Sequence, residues 1–253
     1  MLRTVDEIRA QSTSNLQSLL NDILSAANDP RPLMFGDEQE FKAIKGMPFP
    51  AEMDACFNPF LDRYIIFIKR IDIIGIKEQD NIAHELGHLW LLFHGLPSEN
   101  KSSDPDRQAS WDTFFSPLRD FMEHAVFYPL IKDKYQIDLY KTGNERLNRF
   151  IREQLPNLGN ESTQEKLLLV LNYIKYEVEA DDPYWLESLH KAYSKKAPDV
   201  KNIADSVFLI VKELAGTKDP QSFIAQYCAV LRILDTHFGI PAEKWPIFCF
   251  PNK

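Results

Sequence analysis

The period of apolar positions changes along the chain. Between Val5 and Ala27 the residues Ile8, Leu16, Leu19, Leu20, Ile23 and Leu24 recur at helical spacing, and the NDPRP that follows ends the pattern. One helix is expected to open the chain. Residues 30–60 place Pro30, Pro32, Pro48, Pro50 and Pro59 between short apolar pieces, which suits strands and turns better than helices. RYIIFIKRIDIIGI, 63–76, is dense in β-branched and aromatic residues and reads as a strand. Helical period returns in KEQDNIAHELGHLWLLFHG, 77–95: acidic residues in the first turn, Ile82, Leu86, Leu89, Trp90 and Phe93 on one face, and Gly95 then Pro97 as a stop. A polar loop, LPSENKSSDPDRQ (96–108), precedes a second apolar-rich helix, SPLRDFMEHAVFYPLI (116–131).

Beyond about residue 145 helical patterns dominate, in QEKLLLVLNYIKYEVEADD, PYWLESLHKAYSKK, IADSVFLIVKELAG and PQSFIAQYCAVLRILDTHFG, separated by Pro or Gly. The expectation is an α+β fold: a core over 1–140 and an all-helical part over 141–253 that can pack on the core as one domain. Composition leaves this picture unchanged, since 26% charged and 44% hydrophobic residues are ordinary for a globular chain of 253 residues. A net charge of −8 without any block of Lys and Arg argues against a nucleic-acid partner. No stretch approaches a membrane span, and the N-terminus lacks the pattern of a secretory signal, so a cytoplasmic protein with no membrane partner is expected. Cys56, Cys228 and Cys249 are too few and too scattered for a disulfide framework or a thiolate zinc knuckle, and read as buried reduced thiols.

The chemistry concentrates in NIAHELGHLW, 81–90, where His84, Glu85 and His88 stand in an apolar helical stretch. Positions four apart lie one turn above each other on a helix, so His84 and His88 can share one ion at about 2.1 Å from each ring nitrogen. Glu85 is rotated by about 100° from its neighbour, which suits it to a water beside the metal rather than to the metal. That is where a general base belongs.

HELGH preceded by a strand and followed by a second helix resembles the zincin metallopeptidases, the gluzincin and ImmA/IrrE-type enzymes among them, over about residues 60–130. The resemblance implies a zincin-like fold, with a small mixed sheet beside an active-site helix. It implies Zn²⁺ as cofactor, His84 and His88 as zinc ligands, Glu85 as catalytic base and a peptide or protein as substrate.

A catalytic zinc takes three protein ligands; Glu123 is the expected third, with His124 as the alternative and His94 and Glu179 behind them. Glu123 has the residue type that thermolysin-like zincins take from a later helix; His124 has the position before Ala125 that the ImmA/IrrE pattern gives its ligand. His94 has the metzincin spacing but lacks its Gly, which is Leu91 here. If the helix continues, His94 points about 80° away from His84 and lies some 15 Å along the axis. Glu179, in YEVEADD, resembles the Glu-Ala-Asp tail of some relatives, although a solvated helix end describes it better. His190 and His237 read as surface or packed histidines, and the aromatic stripes of the C-terminal helices as core.

The strand RYIIFIKRIDI, as an exposed sheet edge, is expected to pair with an extended substrate. His124, Tyr128, Tyr135 and Tyr140 are possible donors to the transition state. Two functions follow from these residues. One is a zinc-dependent metallopeptidase; the other is a non-enzymatic, protein-binding regulator with a zincin-like domain. Glu85 favours the enzyme, because a structural site has no use for a base beside its metal.

Overall fold

The protein's structure, a computed structural model, describes residues 1–27, 29–50, 53–71, 74–96, 98–99, 114–155, 158, 161–240 and 248–249. It is a mixed α+β protein that packs as two compact units. The first comprises Met1–His94 with Leu130–Leu139, the second Gly95–Pro129 with Tyr140–Lys253.

The first unit holds a four-stranded mixed sheet. Its strands are β1 (Arg3–Thr4), β2 (Leu33–Gly36), β3 (Ala55–Pro59) and β4 (Tyr64–Ile68), in the order β1-β2-β4-β3. β2 and β4 run parallel, with Leu33 opposite Tyr64, while β3 and β4 run antiparallel, with Phe57 opposite Ile66. Every residue of β4 is buried, because both faces of this central strand are covered. Ile65 and Phe67 meet Phe41 of α3 (Glu38–Lys45) on one face. On the other, Tyr64 meets Phe93 of α4 (Ile76–Phe93), which packs along β3, β4 and α2 (Ser14–Ala26).

Four sequence expectations are corrected here. The opening helix is two, α1 (Val5–Arg9) and α2, because Thr4 and Thr13 each cap a new start: Thr4 forms a capping box with Glu7, and Thr13 accepts from the Leu16 amide. The Pro-rich segment contains the helix α3, capped by Asp37 and Glu40 and stopped by Gly46 at φ 70°. The strand expected over 63–76 is the five-residue β4. Ile71 and Ile74 are buried beyond its end, and residues 72 and 73 lie outside the described residues. Since β4 is hydrogen-bonded on both sides, it offers no exposed edge; the outer strand beside α4 is β3.

The helix α5 (Ser116–Tyr135) runs through Pro129 and extends four residues beyond its expected end, giving Ser116–Pro129 to the second unit and Leu130–Tyr135 to the first. The rest of the second unit is α6 (Tyr140–Glu153), α7 (Thr163–Glu179), α8 (Pro183–Lys196), α9 (Pro198–Val211) and α10 (Pro220–Phe238), with a two-stranded ribbon of β5 (Ser98–Glu99) and β6 (Phe248–Cys249). Most of the polar loop expected over 96–108 lies outside the described residues. α7 packs against α6, α8, α9 and α10. Tyr173, Tyr193, Phe223 and Tyr227 fill the interior of this unit, as their helical spacing predicts. Buried phenols need partners: Tyr193 donates to the Leu169 carbonyl at 3.1 Å, and Tyr173 to Asp205 at 2.9 Å. Cys56 and Cys228 carry free thiols, yet are half-buried rather than buried, and the Cys249 side chain lies outside the description. Among the described residues no helix is long and apolar enough to cross a membrane.

Candidate metal centre

α4 is an amphipathic helix with a burial pattern that isolates one polar face. Ile82, Ala83, Leu86, Leu89 and Trp90 are buried against the first unit, while His84 and His88 remain half-buried. The helix starts at Gly75, whose amide donates to the Glu78 carboxylate at 3.1 Å, so the first turn is closed by its own side chain. One turn apart, the Nε2 atoms of His84 and His88 lie 3.3 Å from each other, with the rings inclined at 74°. Glu85 is buried, and its Oε1 lies 3.9 Å from His84 Nε2. The first unit thus brings together the three residues of the HELGH pattern that carry chemistry.

Cys56 of β3 borders this group. Burial, with the Glu85 carboxylate adding to it, pushes its thiol up to about 12. Without a metal beside it, the group is a thiol at neutral pH rather than a thiolate nucleophile.

His94 stands at the C-cap of α4. The helix runs on through the buried Leu91 and turns only at Gly95, φ 80°. The His94 ring donates from Nδ1 to the Trp90 carbonyl at 2.8 Å and stacks on the Trp90 indole at 3.9 Å. This is a helix-end role, and the sharp turn at Leu91 that ligation would need is not made.

In the second unit Glu123 and His124 are both buried but differ in their neighbours. Glu123 is ion-paired with Arg119 one turn earlier on the same helix. His124 Nδ1 donates to Glu179 Oε1 at 2.8 Å, and its ring stacks on Tyr128 with Phe127 edge-on. Glu179 therefore corrects the expectation of a solvated helix end: it is only 3% exposed. Burial alone would raise its pKa, yet the His124 hydrogen bond and the nearby cations Lys175 and Arg146 outweigh burial and lower it.

The sequence signal for this burial was Gly143, an isolated glycine in the helical stretch YKTGNERLNRF. Of the other donor candidates, Tyr135 is tied to Asp22 of α2 at 2.8 Å, and Tyr140 sets its ring edge-on to Tyr128. His190 pairs with Glu177 and His237 is exposed, in line with their reading as surface or packed histidines.

Compared with known proteins, the chain matches no family model, no curated protein and no solved structure.

Proposed function

We propose that the protein is a zinc-dependent metallopeptidase of the zincin kind. The observation that carries this reading is the pair of imidazole nitrogens 3.3 Å apart with a buried carboxylate beside them. Two nitrogen ligands of one tetrahedral zinc ion, each at about 2.1 Å, lie about 3.4 Å from each other. The donor set therefore fits the ion in spacing and in chemistry. Bound there, zinc would act as a Lewis acid and lower the pKa of a water to about 7.

His84 and His88 supply two ligands in this reading, and His124 is taken as the third on the resemblance, which gives a ligand the position before Ala125. In place of the expected Glu123 this reading takes its alternative, His124, because a carboxylate stands behind its ring, as it does behind metal-ligating histidines in general, whereas Glu123 is engaged by Arg119. Glu85 takes the proton of the attacking water on a carboxylate oxygen and hands it to the leaving amine. An extended peptide substrate would pair with β3, the outer strand alongside α4, rather than with β4.

The test is metal content and turnover together. Purified protein should hold about one zinc per chain; Glu85→Gln should keep the metal and lose roughly 10² to 10⁴ in turnover of a cleavable peptide, and His88→Ala should lose the metal. Protein that takes up no zinc would defeat the reading. Zinc-loaded protein that cleaves no peptide or protein would instead favour the non-enzymatic regulator.

A further inference from the structure

We propose that Gly143 and Asn144 of α6 are positioning residues for the metal centre: they hold Glu179 in place, and Glu179 holds the ring of His124. The proposal rests on reading His124 as a ligand, and it assigns a task to the crossing of α6 and α7.

The crossing is a backbone contact. A Cβ built on Gly143 would stand 1.7 Å from the Glu179 carbonyl oxygen and 2.5 Å from its carbonyl carbon, so only glycine permits this approach. The contact falls on the last residue of α7; after it the chain becomes extended at Ala180, with φ −120° and ψ 151°. Asn144 grips this extended stretch from the same helix. Its Oδ1 accepts from the amides of Asp181 and Asp182 at 3.0 Å each, and its Nδ2 donates to Asp181 Oδ1 at 2.9 Å. Asp182 in turn caps α8, so a single amide side chain joins the end of one helix to the start of the next.

Between these two constraints the Glu179 side chain has little freedom. Oε1 accepts from His124 Nδ1, and Oε2 faces Arg146 of α6 at 3.9 Å and Lys175 of α7 at 4.0 Å. The hydrogen bond at Nδ1 selects the tautomer in which Nε2 carries the lone pair, while Tyr128 and Phe127 confine the ring plane. A ligand oriented in advance costs less to order when the ion arrives, and losing such a partner typically weakens metal binding by about 10- to 100-fold.

The experiment uses the full chain. Zinc dissociation constants are measured by chelator competition for wild type, His124→Ala, Glu179→Gln, Asn144→Ala and Gly143→Ala, and the histidine tautomer is read by ¹⁵N NMR on the metal-free proteins. Glu179→Gln and Asn144→Ala should weaken zinc by about 10- to 100-fold. The His124 signals should also move away from the pure Nδ1–H form, a change that a merely structural role would not produce. Gly143→Ala should do at least as much. If it fails to fold, Asn144→Ala, a half-buried polar change, carries the test. If His124→Ala binds zinc as tightly as wild type, the ligand reading fails and takes the proposal with it. If His124→Ala loses zinc while Glu179→Gln and Asn144→Ala stay within twofold of wild type with an unchanged tautomer, the positioning claim alone is overturned.

Discussion

Asp29 shows how much organisation one carboxylate can impose. It accepts from the Arg31 amide at 2.9 Å, from the Arg31 guanidinium, and from the Tyr64 hydroxyl at 2.6 Å, while Arg31 also donates to the Phe60 carbonyl at 2.8 Å and lies over the Tyr64 ring. These contacts pin the entry to β2 against the start of β4. The Arg31 hydrogen bonds, helped by Tyr64, hold the Asp29 carboxyl well below the usual carboxylate range despite an opposing contribution from burial. Its folded-state pKa is thus lower than the unfolded value near 3.9, so this contribution to stability is present above that value and is lost as pH falls towards the folded one. Asp29→Asn should lower Tm by about 2–4 °C at pH 7, equivalent to about 1 kcal/mol for a partly exposed cluster. Melting curves of the two proteins should converge as the pH is taken below about 4. Legibility differed between residues: His84, Glu85 and His88 were visible at once, because their relation is set by a single turn. Glu179 was not, because its partner His124 is fifty-five residues away.

Among the elements, α4 was the most legible because its signals agree: apolar period, acidic first turn and a glycine stop. α3 was missed because prolines on either side of residues 38–45 outweighed a short helix whose real signal was Asp37 with Glu40 and the closing Gly46. Asp37 accepts from the amides of Gln39 and Glu40 at 2.8 and 2.9 Å, so Asp37→Ala should cost about 1 kcal/mol, read as a lower urea midpoint with an unchanged slope. Since α3 covers Ile65 and Phe67, this loss falls on the face of the sheet opposite α4. Zinc content should therefore stay near one per chain in the folded variant. The sequence marks β4 as a strand, whereas its place inside the sheet, not at an edge, comes from the structure. A run in which every residue is apolar is what a central, doubly covered strand looks like.

For the molecule as a whole, zinc in the proposed centre would link stability to free metal. A ligand that binds only the native state at 100 to 1,000 times its dissociation constant adds about 2.7 to 4.1 kcal/mol. Chelation should therefore lower Tm of the wild type by several degrees, Glu85→Gln should show the same drop, and His88→Ala should show none, all measurable by differential scanning calorimetry.

The chain by itself determined everything that depends on neighbours along the backbone. The period of 3.6 residues places His84 and His88 on one face with Glu85 beside them, and the amphipathic stripes of the C-terminal helices mark their buried sides. Tertiary structure decided the strand order that puts β3 outermost, the backbone contact at Gly143 and the burial of Glu179 against His124. No sequence period encodes such pairings, because they arise only when segments far apart in the chain compete to cover the same apolar surface and to satisfy the same buried polar atoms.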